Sequence, residues 1–312
     1  MISSPTSLSD LTVPEGAVVR AGGTDLQERL RSRVAPPDLV DLMGIEGFAG
    51  IEVTDAGIRI GAGTRMAVVA RELATTCPGL ALTTGGLATP QIRAHGTIGG
   101  NLTQRTRCWY FRHPGLDCFK SGGDSCPARA GRHLYGVAFD RSECVHPHPS
   151  SIAMALLTHD ATVELASGAT MMVADLLGDG ADPTRDHQLP DGEVIVAIHV
   201  PPPWDGERGA YFRAISRFEA EWPLVECVVR ARFEGDVVAE CGIGLGGVAT
   251  VPLRMRAAEE ALTGEPLEDA TIERLGEVCA EGANPLPETR YKVDLIAAAV
   301  QETLERLRGV LG

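Results

Sequence analysis

The sequence predicts an α+β protein built as two domains, and three observations carry that prediction. Short strand-like and helical runs alternate through the first half, and three long strand-like runs followed by three helical stretches fill the last third. Between them lies "PPPWDGERG" (201–209), rich in the proline and glycine that mark a break between domains. Strands first and helices afterwards argue for a sheet with its helices on one face. The expected domains are residues 1–203 and 207–312, and 312 residues suffice for about two cores.

Taken in order, "AVVRAGGTDLQERLRSR" reads as strand, glycine turn and helix, with Thr24 and Asp25 as candidate caps. "GIRIGAG" alternates as a half-buried strand does, and "RMAVVAREL" has helical spacing. Residues 113–149 lose periodicity altogether, and a structureless stretch of that length needs a functional reason or a cross-link. "SSIAMALLTHD" is a serine-capped helix, while "ATVELAS", "ATMMVADLL" and "EVIVAIHV" read as strands. In the second domain the strands are "AYFRAISRF", "LVECVVRARF" and "VVAECGIGLGGV", the last two joined by an "EGD" hairpin turn. Helices are expected near 253–263, 268–281 and 289–308.

The formal charge of −14 argues against a nucleic-acid partner, which would want a basic face. Arg105, Arg107 and Arg112 form one local basic patch that suits a small anionic ligand better than a polymer. No run approaches the roughly 18 apolar residues of a membrane span. The start, "MISSPTSLSDLTVPEG", does not resemble a signal peptide, so the expected location is cytoplasmic. Export alongside a signal-bearing partner would leave no trace in these residues.

Two glycine loops, "AGGTD" (21–25) and "TIGGN" (97–101), are similar devices. A Gly-Gly pair permits positive φ and close backbone approach, so successive N–H groups can converge on a phosphate oxygen. Thr24, Thr97 and Asn101 add donors, and the helix after the first loop adds its N-terminal partial charge. Neither loop has a Rossmann or P-loop pattern, and each alone reads more readily as a tight turn than as a site. Two together suit a ligand with two phosphates.

Of eight cysteines, Cys77, Cys227, Cys241 and Cys279 are scattered among apolar neighbours and read as core thiols. Cys108, Cys118, Cys126 and Cys144 are separated by nine, seven and seventeen residues. With no C-x₂-C pair, that spacing leaves a metal or iron–sulfur site, free thiols and disulfides all open. The metal is favoured by a segment with too few apolar residues to fold alone, and by Lys120, Arg107, Arg112, Arg129 and Arg132 as counter-charges. "HPHP" (146–149) reads as a proline-stiffened turn rather than a ligand set.

"RAGGTDL", "PPDLVDLMGIEGFAGI", "IRIGAGT", "TPQIRAHGTIGGNLTQR" and "LGGVATVPLRMRAAEEALTG" together resemble the FAD-binding medium subunits of the molybdenum hydroxylases. That group includes xanthine dehydrogenase, carbon monoxide dehydrogenase and aldehyde oxidoreductases. "RCWYFR" with its four cysteines, and "NPLPETRYKVDLI", resemble the aldehyde oxidoreductase and 4-hydroxybenzoyl-CoA reductase subgroup, which carries an additional [4Fe–4S] cluster. The resemblance implies a two-lobed FAD-binding domain with a cluster loop at 104–149, then a CO dehydrogenase flavoprotein C-terminal-like domain. It assigns FAD pyrophosphate contacts to Ala21, Gly22, Gly23, Thr24, Asp25 and Leu26, and to Thr97, Ile98, Gly99, Gly100 and Asn101, with Thr89 upstream. It assigns the cluster to Cys108, Cys118, Cys126 and Cys144.

The implied partners are a large molybdopterin-binding subunit, where substrate reacts, and a small [2Fe–2S] subunit. The implied role is electron transfer from these to an external acceptor, or the reverse. No residue set offers this chain substrate chemistry of its own. The other flavin reading is a free-standing oxidoreductase of the vanillyl-alcohol-oxidase-like superfamily, which needs a substrate pocket in the C-terminal domain. In two places the chain departs from the family. The lead-in before the first loop is short, and Ser150-Ser151 stands where many members have Ser-Asp with a flavin-contacting carboxylate.

Overall fold

The computed structural model describes residues 2–217 and 220–309. Met1 and residues 310–312, at the outer ends of the expected domains, and Phe218, at the end of the expected "AYFRAISRF" strand, lie outside the described residues. The chain opens with β1 (Ile2–Ser3), β2 (Val18–Arg20), α1 (Leu26–Arg31) and β3 (Leu39–Asp41), and the three strands form a parallel sheet in the order β1-β3-β2. The short lead-in keeps a two-residue strand and a single 3₁₀ turn at Leu8–Asp10.

Next come β4 (Ile51–Thr54), β5 (Gly57–Gly61), α2 (Met66–Glu72), α3 (Pro78–Gly85), α4 (Pro90–His95) and α5 (Ile98–Leu102). After the short α6 (Pro127–Ala130) follow α7 (Ser151–Thr158), β6 (Thr162–Leu165), β7 (Thr170–Met172), α8 (Val173–Leu177) and β8 (Ile195–Val200). These strands make an antiparallel sheet in the order β4-β5-β8-β6-β7. Strand β8 enters at the centre, between β5 and β6, and its near-continuous burial suits that position.

The third layer is an antiparallel sheet of β9 (Arg208–Ala214), β10 (Val225–Glu234), β11 (Val237–Gly246) and β12 (Leu253–Arg254), carrying α9 (Arg256–Leu262), α10 (Asp269–Ala280) and α11 (Tyr291–Gly309). The β10–β11 hairpin turns at Gly235, whose φ is 62°. Strand β11 explains how the domains join. Side chains alternate along a strand, so Cys241, Ile243 and Leu245 share one face while Gly242 and Gly244 share the other. A Cβ at Gly242 or Gly244 would press on Thr158 or Met154 of α7 at 2.9–3.0 Å. The glycines let α7, fully buried along most of its length, lie directly on the C-terminal sheet. One continuous apolar core therefore runs through both domains.

Two expected elements differ. "ATMMVADLL" is a strand only to Met172; Val173, Leu176 and Leu177 are buried at helical spacing, and α8 forms there. The stretch expected to be helical from 253 first adds β12 to the sheet, pairing with Gly244 and Leu245. Among the described residues no helix is long and apolar enough to cross a membrane. Cys227, Cys241 and Cys279 sit within the main core. Their replacement by alanine should cost about 1–2 kcal/mol each, read as a shift in the urea midpoint at unchanged slope.

Candidate functional site

A cleft of about 430 Å³ runs between the β2–α1 loop and the α4–α5 junction. Of the sequence-predicted residues, Ala21, Gly22, Gly23, Thr24, Asp25, Leu26, Thr97, Gly99, Gly100 and Asn101 line it. Ile98 and Thr89 do not: Ile98 is fully buried in the core, and Thr89 caps α4 by accepting from the Ile92 N–H at 3.3 Å. The far wall is built by His187, Leu189, Asp191 and Glu193–Ile195. His187, Leu189 and Asp191 of that wall come from the polar "GDGADPTRDHQLPDG" stretch, in which the sequence signals no site, and Glu193–Ile195 from the start of "EVIVAIHV".

The two glycine loops differ in physical character. In the first, Gly23 has φ 72°, and a Cβ at Gly22 would overlap the His95 carbonyl. Only glycine lets this loop lean on the α4–α5 junction. None of the N–H groups from Gly22 to Leu26 donates to another described residue, so a row of donors at the start of α1 faces the cleft. The second loop is the helix α5, and neither Gly99 nor Gly100 has positive φ. Their glycine requirement is spatial: a Cβ would stand 2.7 Å from the Ala62 side chain at Gly99, and 2.9 Å from Thr97 Oγ1 at Gly100. The N–H groups of Ile98 and Gly99 already donate to Thr64 and Ala62 at 3.0 and 2.9 Å, and Thr97 Oγ1 accepts from Gly100 at 3.2 Å.

These features fit a dinucleotide diphosphate: free N–H donors, no Cβ in the way, and a helix N-terminus. Loop one supplies the donors and α5 a small-residue wall. Asn101 is partly engaged, its Oδ1 accepting from Ser150 Oγ at 2.6 Å. Ser150 also caps α7 through the Ala153 N–H at 3.0 Å, and Ser151 is buried at the first turn.

The four cysteines of the second predicted site also come together. Cys108, Cys118, Cys126 and Cys144 line one pocket with Tyr110, Phe111, Lys120 and His146, and none of them is in a disulfide. The segment has only a small core of its own. Phe111, Ala128, Val137 and Val145 pack with Cys108 and Cys118. Burial pushes the Cys144 thiol up to about 11, with Lys120 acting the other way. No three of these sulfurs lie within 4.8 Å of one another among the described residues. Four thiols around one pocket are a donor set that either a zinc ion or an iron–sulfur cluster takes.

Of the five cations expected to offset thiolate charge, most are spent elsewhere. Arg107 and Arg112 meet Asp25 at 2.9 and 2.6 Å, Arg129 forks onto Asp140 at 2.8 and 2.9 Å, and Arg132 lies 4.0 Å from Glu288. Lys120, beside Cys144, also meets Asp186 at 3.0 Å.

Asp25 is the joint between the two sites. It lines the cleft, yet its carboxylate turns to the cysteine segment, also accepting from the Arg105 N–H at 3.2 Å. Burial alone would raise its carboxyl, and Arg107 and Arg112 more than offset this. Asp186 is a second joint: it accepts from Arg105 Nε at 2.6 Å and the Thr106 N–H at 3.3 Å. Burial opposes its ionisation too, and Lys120 and Arg105 hold it far below the usual carboxylate range. The C-terminal domain closes the other side. Glu288 accepts from the His133 N–H at 2.6 Å, Thr289 donates to the Val137 carbonyl at 2.8 Å, and Tyr291 donates to that of Leu134 at 2.9 Å. This is the physical work of "NPLPETRYKVDLI".

Asp25→Asn removes the buried anion shared by Arg107, Arg112 and Arg29, leaving Arg107 and Arg112 only the more exposed Glu28, and should cost on the order of 3 kcal/mol. Hydrogen exchange should then rise across residues 105–149 before it rises in the C-terminal sheet. A second expectation concerns His148, whose Nδ1 accepts from the Ser150 N–H at 3.2 Å and which burial pulls down to about 4. The unfolded imidazole binds a proton near pH 6.5, so this contribution is complete above that pH and is lost as pH falls towards 4. Unfolding free energies from urea titrations over this range should fall by up to about 3 kcal/mol more in the wild type than in His148→Gln.

Comparison with known proteins agrees with this architecture. Residues 5–203 match the FAD binding domain in molybdopterin dehydrogenase, and residues 210–307 match the CO dehydrogenase flavoprotein C-terminal domain. The chain is 32% identical to the aldehyde oxidoreductase FAD-binding subunit PaoB of Escherichia coli, over 97% of this chain and 94% of that one. It is 25% identical to the carbon monoxide dehydrogenase medium chain of Afipia carboxidovorans, over 97% and 95%. A crystal structure of the Cu,Mo-CO dehydrogenase superposes with a TM-score of 0.77 at 22% identity, covering 99% of this chain and 97% of that one, and so shares the fold. With a flavin-domain match over most of its length and a relative above 30% identity end to end, the chain belongs to the FAD-binding medium subunits of the molybdenum hydroxylases, an oxidoreductase family.

Proposed function

We propose that this chain holds FAD in its cleft and a [4Fe–4S] cluster in its cysteine pocket, and that it carries electrons within a molybdopterin-dependent oxidoreductase complex. In this reading a large molybdopterin-binding subunit turns over the substrate. A small [2Fe–2S] subunit relays the electrons, and this chain exchanges them with an external acceptor or donor. One observation carries the proposal. Four cysteines spread from 108 to 144 meet around one pocket, and that pocket is joined to the flavin cleft through Asp25 and Asp186. When bound, the two groups supply the electron-transfer chemistry, and the protein supplies position and potential.

The residues of this chain have distinct tasks. The N–H row from Gly22 to Leu26 receives the diphosphate, and α5 lets it approach. Cys108, Cys118, Cys126 and Cys144 hold the cluster, and Lys120 sits beside Cys144 as the nearby positive charge. A free-standing flavin oxidase would need the C-terminal domain to form a substrate pocket at the flavin. Among the described residues those lining the cleft run from Ala17 to Ile195, and none of them belongs to the C-terminal domain. The aldehyde oxidoreductase subunit among the relatives makes an aldehyde a reasonable first substrate for the complex.

The test is iron and flavin content, with low-temperature EPR of the reduced protein, for serine at each cysteine in turn. Serine at 108, 118, 126 or 144 should abolish the cluster signal and then loosen flavin binding through the Asp25 joint. Serine at 227, 241 or 279 should leave both. Iron retained in Cys118→Ser, or lost in Cys279→Ser, would overturn the assignment.

A further inference from the structure

Away from both sites, three other side chains converge where the domains meet. Cys77 stands at the start of α3, His159 at the end of α7, and Glu207 in the link leading into β9. One donor atom from each lies within 4.8 Å of the other two. Cys77 is fully buried, His159 is 3% exposed and the Glu207 side chain 2%. Buried polar atoms normally find partners, but both imidazole nitrogens of His159 and Oε1 of Glu207 have none.

The two oxygens of Glu207 divide sharply. Oε2 accepts from both Nε and Nη2 of Arg230 and from the Trp204 N–H. Arg230 is itself fixed, with Nη1 donating to the Thr158 carbonyl at 3.1 Å and the guanidinium 3.6 Å from the centre of the Trp204 ring. Oε1 is buried and accepts no hydrogen bond. A carboxylate with one oxygen anchored and the other free is how a supporting shell orients a metal ligand. The surroundings are rigid as well, because Gly209 of β9 sits against the backbone of Pro78 and Gly79 with no space for a Cβ.

We propose that Cys77, His159 and Glu207 form a binding site for one divalent cation of borderline softness, zinc in class, that fastens the flavin domain to the C-terminal domain. The donor set of thiolate, imidazole and carboxylate oxygen is one that zinc accepts, with a water to complete the tetrahedron. Binding forms three coordinate bonds and releases the Cys77 proton to solvent. The ion is not oxidised or reduced. Each ligand belongs to a different element, so the ion cross-links α3, the end of α7 and the link into β9, adding to the bridge that Arg230 makes between Glu207 and Thr158. The inference is independent of the flavin and cluster assignments.

The experiment measures metal in the full chain, purified with whatever subunits accompany it from zinc-supplemented cells and washed with EDTA. The wild type should retain one zinc per chain. Cys77→Ala and His159→Gln should bind it roughly 10- to 100-fold more weakly or worse. Glu207→Gln, which keeps an acceptor for Arg230, is the variant to read if the others fail to fold. Titration with Co²⁺ gives a second readout, a near-ultraviolet thiolate-to-cobalt band that disappears in Cys77→Ala. Absence of zinc in the wild type together with no such band overturns the site. So does zinc held equally by wild type and every folded variant, or a cobalt band that survives Cys77→Ala.

Discussion

The carboxylate of Asp25 is the constraint on which the arrangement of both sites depends. It stands at the start of α1, where a capping side chain would normally turn back to the helix, and it makes no such cap. It collects Arg107 and Arg112 instead, with Arg29 at 3.8 Å. A charge this buried is tolerable only with partners. Arg107 and Arg112 come from the segment that opens the cysteine pocket, so the position of the first glycine loop and that of the pocket are set by the same ion cluster. The proximity of a glycine turn and a cysteine in the sequence thus has a three-dimensional counterpart. The link is ionic and runs back to the first loop.

The cysteine segment is held from three directions. Asp25 and Asp186 grip its start, its own apolar side chains pack a small core, and the stretch 284–291 of the C-terminal domain binds its far end through backbone-directed hydrogen bonds. A segment with so little regular structure satisfies its backbone groups in this way rather than through a ladder. The C-terminal domain therefore serves the pocket without contributing a cysteine to it. Its other service is to the core, where the glycines of β11 admit α7.

Much of the site was legible in the sequence. The glycine pairs, the strand before the first and the helix after it, the cap at Ser150 and the grouping of Cys108 to Cys144 apart from Cys227, Cys241 and Cys279 all follow from local chemistry and stand in the structure. The second glycine pair was recognisable as a site element but not as a helix. Positive φ is one reason for glycine and lack of space is another, and only the presence of Ala62 opposite Gly99 distinguishes them. Arg107 and Arg112 were visible as a basic patch, yet their partner lies some eighty residues upstream, and no spacing rule reaches that far.

What the sequence determined by itself is the local vocabulary: which residues turn, cap, alternate and ligate, because those preferences depend on neighbours a few positions away. What the tertiary structure decided is the pairing of distant groups. It turned the Asp25 carboxylate towards the arginines, and made Asp186 in a polar loop a second anchor. It gave the far wall of the cleft to residues 187–195, and brought Cys77, His159 and Glu207 face to face. Each of these rests on burial, which makes an unpartnered charge or donor costly. Burial is a property of the packed chain, and no short stretch of sequence contains it.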